Sequence, residues 1–206
     1  MLRGLAHRGP DDQHVVHGDG YTMGARRLSI IDLDHGRQPL CEDQKTVWAA
    51  QNGEIYNFRE LREELLARGG HRFATDGDTE LLPHLYRAYG IDFPKKLEGM
   101  YAVSLWDENE RRGLLARDRS GKKPLYFMEH EGCLWYASEI KALLTVPGFQ
   151  RRLNHEAVHH FLSYKNVPAP LSIFEGISIL RPGHRLLWEN GRIVSNEAYW
   201  KLDWTP

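Results

Sequence analysis

The side chains that could act as nucleophiles or metal ligands are few and widely spaced. Cys41 and Cys133 are too few for a disulfide framework and lack metal-ligand spacing, which is typical of a reducing, cytoplasmic setting. His155 and His159 stand four residues apart, as two metal ligands on one helix face would. No acidic or sulfur ligand follows at a suitable spacing, so we interpret this cluster as a solvated helix face and predict no metal site.

Other polar positions could bind a small molecule, although each has a plain structural explanation when taken alone. Asn52-Gly53 is a common dipeptide of tight hairpin turns, and the dipeptide by itself favours that interpretation. Asp78 precedes an apolar periodic segment, as a helix N-cap would. Arg27 stands beside Arg26, and a guanidinium can hold a carboxylate with two parallel hydrogen bonds or simply lie at the surface.

Composition narrows the class of protein. Hydrophobic residues make up 41% and charged residues 27% of the 206 residues, ordinary values for one substantial globular domain. The 27 basic and 28 acidic side chains nearly cancel, which argues against a nucleic-acid partner. No apolar run approaches the ~20 residues that a membrane-spanning helix needs, so no membrane partner is expected.

Helical periodicity recurs at several places along the chain. It predicts a helix at residues 1–6, one capped by Asn57 with Glu60 as capping-box partner, and one from about Asp78 to Tyr89. Pro83 would cost this last helix a hydrogen bond, so the helix either begins later or is kinked. Two later helices are predicted: one over residues 139–144 with Ser138 as its cap, and one through Val158 and Phe161.

Short β-like runs surround these helices and predict a layered α+β domain. The predicted strands cover residues 21–23, 27–32, 46–51, 100–106, 114–118, 124–127, 133–137, 185–188 and 191–194.

The ordered set of motifs resembles the class II glutamine amidotransferase domain of asparagine synthetases. The segments that carry the resemblance are His7-Arg8-Gly9-Pro10-Asp11, Arg26-Arg27-Leu28-Ser29-Ile30-Ile31-Asp32, Asn52-Gly53-Glu54-Ile55-Tyr56-Asn57, Asp78-Thr79-Glu80, Gly99-Met100-Tyr101-Ala102, Leu115-Ala116-Arg117-Asp118-Arg119, Lys123-Pro124-Leu125-Tyr126, Ser138-Glu139-Ile140-Lys141-Ala142-Leu143 and Pro182-Gly183-His184. The match covers nearly the whole chain. It implies a four-layer αββα sandwich of the N-terminal-nucleophile type over residues 1–198, with residues 199–206 beginning a linker.

The implied reaction is hydrolysis of the side-chain amide of L-glutamine to glutamate and ammonia. The resemblance assigns the oxyanion site to the Asn52 side-chain amide and the Gly53 backbone N–H. It assigns the substrate carboxylate to Arg27 and the substrate ammonium to Asp78 and the Glu54 region. The other residues expected to line the glutamine pocket are Leu28, Ser29, Ile30 and Ile31.

The resemblance also implies partners that this chain does not contain. Ammonia is expected to pass to a synthetase domain that uses ATP and Mg²⁺ to convert aspartate to asparagine, in a homodimeric protein. No cofactor is expected in residues 1–206 themselves. Two alternatives stay open: a related amidotransferase with another acceptor, and a non-catalytic glutamine-binding module.

The nucleophile is the point at which this sequence departs from the family pattern. That pattern requires a cysteine at the mature N-terminus, whose own α-amino group is the base. Cys41 and Cys133 cannot supply that amine because their nitrogens are in peptide bonds, so we interpret both as small, partly buried apolar residues. Met1 has no ionisable thiol. We therefore expect the chain to lack the first strands and the nucleophile, and to be inactive alone.

Overall fold

The computed structural model describes residues 1–28 and 37–203. Its strands are β1 (Asp12–Gly18), β2 (Tyr21–Arg27), β3 (Leu40–Cys41), β4 (Val47–Ile55), β5 (Gly99–Asp107), β6 (Arg112–Arg117), β7 (Tyr126–His130), β8 (Cys133–Ala137), β9 (Ser178–Ile179), β10 (His184–Glu189) and β11 (Arg192–Ala198). Its helices are α1 (Phe58–Arg68), α2 (Leu81–Tyr89), α3 (Ile140–Leu143), α4 (His155–Tyr164) and two 3₁₀ helices, Leu2–Leu5 and Gly90–Lys96.

Antiparallel pairing organises the strands into one large sheet and two small ones. The large sheet has the order β11-β10-β6-β5-β4-β3, and the small ones are the β1-β2 hairpin and the three strands β8-β7-β9. Strands β4 and β5 pair over nine residues, from Val47 opposite Asp107 to Ile55 opposite Gly99. The pairing on the other side of β4 is short, because β3 contributes only Leu40 and Cys41.

Helices α1 and α2 cover one face of the large sheet. Leu65 of α1 and Leu85 of α2 are fully buried in one cluster with Tyr101 of β5 and Leu114 of β6. Because successive side chains of a strand point to opposite faces, Tyr101, Val103 and Leu105 face these helices while Ala102, Ser104 and Trp106 face away.

The second face of the large sheet packs against the two small sheets. A second cluster joins Trp106 of β5 and Leu186 of β10 to Met23 of β2 and Phe127 of β7. Helix α3 lies outside this β layer, with Leu143 buried against Met128 of β7. The layer order is therefore helices, sheet, sheet, helices, and the predicted αββα sandwich is confirmed.

Helix α2 begins later than Asp78, and this removes the difficulty with Pro83. The helix starts at Leu81, with Glu80 at the N-cap position, so Pro83 falls in its first turn. The first-turn N–H groups have no partner within a helix, so proline costs nothing there. The predicted start at Asp78, and its role as helix N-cap, are wrong.

Two further predicted caps do not form side-chain capping bonds. Asn57 does occupy the N-cap position of α1, but its side chain bonds the carbonyl of Lys96 and the N–H of Glu98, so the capping box with Glu60 is wrong. Glu139, not Ser138, occupies the N-cap position of α3. In the first case a tertiary contact captures the side chain that local sequence assigned to the helix end.

Two further facts concern the C-terminal segment and the lengths of the helices. The packed structure extends through Tyr199, whose buried hydroxyl donates to the carbonyl of Arg117 at 2.7 Å. Among residues 1–28 and 37–203, no helix combines the length and the apolar character needed to cross a membrane.

Candidate active site

A cavity of about 560 Å³ lies between the large sheet and the second β layer. Its wall includes consecutive residues of β2 and β8 together with part of β4 and the segment that precedes α2. The predicted site residues that line it are Arg27, Leu28, Asn52, Gly53, Glu54 and Asp78. Three further predicted residues, Ser29, Ile30 and Ile31, lie outside the residues that the structure describes. Tertiary packing therefore brings together residues that are up to 51 positions apart in the sequence.

One edge of β4 presents a row of backbone N–H groups to this cavity. The N–H of Gln51 donates to the side-chain oxygen of Gln38 at 2.8 Å, and the N–H of Ile55 donates to the Asp78 carboxylate at 2.9 Å. Alternate N–H groups of a strand face the same edge, so the N–H of Gly53 points there as well. Tyr101 lies opposite Gly53 on β5, and its carbonyl oxygen accepts the Asp118 N–H on the side away from β4. This agrees with a Gly53 N–H that points away from β5.

Gly53 lies inside β4, where a side chain has no room. Its φ of 141° is in the region that favours glycine, and an added Cβ would lie 1.9 Å from the Met100 carbonyl oxygen of β5. The Asn52-Gly53 dipeptide is therefore part of a strand, and its interpretation as a hairpin turn is wrong. The glycine allows β4 and β5 to approach closely at the point where β4 faces the cavity.

The Asn52 side chain supplies a second donor beside the Gly53 N–H. Asn52 pairs with Ala102, so its side chain points toward the layer between the two sheets and the cavity. Its amide nitrogen is buried and has no hydrogen-bond partner among the described residues. A buried polar group without a partner costs about 1–3 kcal/mol, which a ligand oxygen at this position would relieve.

The Asp78 carboxylate is fixed by the loop between α1 and α2. Asp78 is 9% exposed and accepts the Ile55 N–H. Glu80 shapes the same loop by accepting three bonds at 2.7 Å, from the Ala74 N–H and from the N–H and hydroxyl of Thr75. An acidic group is thus held two residues along β4 from the Gly53 donor, which suits recognition of a cation there.

The opposite wall of the cavity carries basic groups. Arg27 ends β2, and its carbonyl accepts the Asp11 N–H at 3.1 Å. Lys123 reaches the wall from a loop organised by Asp118, whose carboxylate accepts the N–H groups of Ser120, Lys122 and Lys123 at 2.9–3.1 Å. The wall therefore offers cations and carboxylates at separate places, which matches the two charges of a free amino acid.

Neither cysteine belongs to this cavity. Cys41 lies in β3 opposite Trp48, and burial, followed by the nearby Glu42 carboxylate, raises the pKa of its thiol. Cys133 is exposed at the start of β8, which corrects its interpretation as a partly buried apolar residue. Among the residues that the structure describes, the cavity wall contains no thiol.

Two wall residues were missed by sequence reasoning. Gln38 and Thr79 line the cavity and bond each other at 2.9 Å, from the Gln38 amide nitrogen to the Thr79 hydroxyl. Gln38 belongs to no periodic pattern. Thr79 lies in the Asp78-Thr79-Glu80 motif, in which the resemblance assigns a site role only to Asp78. Their place in the cavity wall follows from tertiary contacts, because both residues bond Gln51 of β4.

The sequence profile of the glutamine amidotransferase domain matches residues 1–200. The chain belongs to this family. Glutamine-hydrolyzing asparagine synthetase 1 of Bacillus subtilis is 37% identical over 206 residues, which is all of this chain and 32% of that protein. A putative glutamine-hydrolyzing asparagine synthetase of Mycobacterium tuberculosis is 39% identical over 191 residues, covering 87% of this chain and 29% of that protein. The resemblance found in the motifs is confirmed, and the chain spans about a third of the length of these relatives.

Solved structures share the fold. Glutamine phosphoribosylpyrophosphate amidotransferase from B. subtilis superposes with a TM-score of 0.62 over 97% of this chain and 45% of that chain, at 19% identity. A structure described as the allosteric regulatory enzyme of purine biosynthesis gives a TM-score of 0.54 over 87% of this chain and 35% of that chain, at 22% identity. The four-layer αββα fold is thus shared with a solved amidotransferase structure.

Replacing Gly53 tests the close approach of β4 and β5. The substitution Gly53→Ala should lower the free energy of unfolding by more than about 2 kcal/mol, because its Cβ meets a backbone oxygen that cannot rotate away. Gly77→Ala is the matched control in the same cavity wall, since its Cβ would meet only the Thr75 hydroxyl at 3.9 Å. Urea unfolding measures both variants, and equal losses would contradict the proposed crowding.

A histidine pair behind the Asp78 loop should make stability depend on pH. His71 and His84 bond through their Nδ1 atoms at 3.1 Å, and His84 is 1% exposed. Burial lowers the pKa of both imidazoles below the unfolded value near 6.5. The unfolded chain therefore takes up protons first as the pH falls, so stability that is present above pH 6.5 is lost below it.

The double variant His71→Gln/His84→Gln should lose less stability than the wild type between pH 7 and pH 5. Urea midpoints at a series of pH values measure this slope. His159→Gln, which removes an exposed histidine of α4, is the control for replacing a histidine away from this pair. A double variant with the wild-type slope would show that the pair does not titrate on unfolding.

Proposed function

We propose that the cavity binds L-glutamine and that the whole protein hydrolyses its side-chain amide, so that ammonia reaches an acceptor. The observation that carries this proposal is the buried Asn52 amide nitrogen, which has no hydrogen-bond partner among the described residues, beside the Gly53 N–H at the same cavity edge. Two such donors are suited to the oxygen of an amide, and more so to the oxyanion formed when a nucleophile attacks its carbon.

The charges around the donors fit the other end of glutamine. We infer that the Arg27 guanidinium binds the α-carboxylate and that Asp78, with Glu54 nearby, binds the α-ammonium. The Ile55 N–H holds one oxygen of Asp78 and so directs the carboxylate before the ligand arrives. Ser29, Ile30 and Ile31 complete the pocket in this proposal.

The chemical step needs a thiol that the described cavity wall does not contain. We infer that a cysteine outside residues 1–206, with its own α-amino group as the base, attacks the amide carbon in the whole protein. Asn52 and Gly53 then stabilise the tetrahedral oxyanion while the α-amino group passes the thiol proton to the nitrogen that leaves as ammonia. Water hydrolyses the resulting thioester, which releases glutamate and restores the thiol. Isolated residues 1–206 should bind glutamine without releasing ammonia, so that this chain by itself would act as a glutamine-binding module.

The rest of the proposed activity follows the relatives, which are about three times as long as this chain. Their names, glutamine-hydrolyzing asparagine synthetases, support an acceptor domain that makes asparagine. We propose that this domain uses ATP and Mg²⁺ and takes aspartate as its substrate. We propose a cytoplasmic homodimer for the whole protein, with no nucleic-acid partner. A related protein with another acceptor is the alternative, because the cavity described above recognises only the nitrogen donor.

Titration calorimetry with L-glutamine tests the site directly. Asn52→Ala should weaken binding about tenfold, the loss expected for one hydrogen bond to a buried polar ligand atom. Asn196→Ala, which removes an exposed asparagine of β11, is the matched control and should bind as the wild type does. No glutamine binding by the wild type, in a chain that melts cooperatively, would overturn the proposed function.

A ligand without the α-amino group tests the role of Asp78. Asp78→Asn keeps an oxygen for the Ile55 N–H and removes the negative charge, so glutamine binding should weaken at least about tenfold. Glutaramate, which is glutamine without its α-amino group, should bind the variant and the wild type with the same affinity. Equal losses for both ligands would assign Asp78 a structural role instead.

A further inference from the structure

The edge of β4 is occupied on both sides of Gly53 by side chains rather than by a strand. Strand β3 pairs only with Trp48 and Ala49, and Gln38 lies two residues before Leu40. Gln38 therefore reaches the register position of Gln51, where its side-chain oxygen accepts the backbone N–H at 2.8 Å. Two residues farther on, beyond Gly53, Asp78 takes the corresponding position on the Ile55 N–H.

A second set of bonds ties these two occupied positions together. The Thr79 hydroxyl accepts from the side-chain amide of Gln38 at 2.9 Å and from that of Gln51 at 3.1 Å. Thr79 is 4% exposed, so water does not compete freely for these bonds. Gln38, Gln51 and Thr79 form a closed ring, which we call the glutamine–threonine ring.

The ring joins the residue before Asn52 to the residue after Asp78. Asn52 and Gly53 offer the donors for an amide oxygen, and Asp78 offers the carboxylate for an ammonium group. The bonded N–H groups of Gln51 and Ile55 are four residues apart, or about 13 Å along an extended strand. A tie at both ends limits how far the Asp78 loop can slide along β4.

We propose that Gln38 and Thr79 are positioning residues that fix the distance between the amide-oxygen donors and Asp78, and thereby select glutamine over asparagine. The proposal rests on the glutamine site proposed above and adds the determinant of its length selectivity. Asparagine is one methylene shorter, so a fixed spacing cannot satisfy its amide and its ammonium group together. A loop free to shift would accept both amino acids more nearly equally.

Substitution of Thr79 separates positioning from packing. Thr79→Val keeps the shape and removes the hydroxyl, whereas Thr79→Ser keeps the hydroxyl and removes a methyl group. Calorimetry with glutamine and with asparagine should show about a tenfold loss of the glutamine-to-asparagine affinity ratio in Thr79→Val. Thr79→Ser should keep that ratio within about twofold of the wild type, even if its melting temperature falls.

The outcomes distinguish this proposal from the one on which it rests. A Thr79→Val variant that binds glutamine with the wild-type ratio would overturn the positioning role and leave the glutamine site standing. A wild-type chain that binds neither amino acid would overturn the site itself, and the selectivity role with it.

Amide hydrogen exchange measured without ligand tests the geometry independently. In the wild type, the N–H groups of Gln51 and Ile55 should exchange slowly and that of Gly53 quickly, because Gln38 and Asp78 accept the first two whereas the Gly53 N–H faces the cavity. Gln38→Leu should accelerate Gln51 selectively. Equal protection of Gln51 and Gly53 in the wild type would contradict the arrangement.

Discussion

The candidate site depends on how the backbone of β4 is satisfied. One edge of the strand bonds β5 along nine residues, whereas within the described part of the chain the other edge pairs with a strand over two residues. Beyond β3, side chains complete the edge at Gln51 and Ile55 and leave the Gly53 N–H facing the cavity. A buried backbone donor needs an acceptor, so the Gly53 N–H between two satisfied neighbours marks a position where a ligand oxygen can supply one.

Close packing of the two sheets turns this edge into an enclosed site. The face of β5 that carries Ala102 and Trp106 packs against β2 and β7, while the opposite face is covered by α1 and α2. The helices hold the loop that carries Asp78, and the second β layer carries Arg27. The amide donors, the acidic group and the basic group thus belong to different layers, and the apolar clusters between these layers hold them together.

Part of this structure could be predicted from local pattern. Apolar periodicity located α1 and most of the strands, and the ordered motifs identified the family together with Arg27, Asn52, Gly53 and Asp78 as residues of one site. The local rules for helix caps gave wrong predictions where the side chain bonds a distant part of the chain instead. Asn57 bonds residues 96–98 instead of its own helix, and Asp78 bonds β4 instead of capping α2.

The sequence by itself determined the composition of the site, because amide, guanidinium and carboxylate groups are chemically fixed by residue type. Only the tertiary structure showed that Asn52-Gly53 lies within a strand, that Met100 forbids a side chain there, and that Gln38 and Thr79 close a ring beside the donors. These features join residues 13 to 47 positions apart, and no local pattern contains a contact that forms only when distant strands pair.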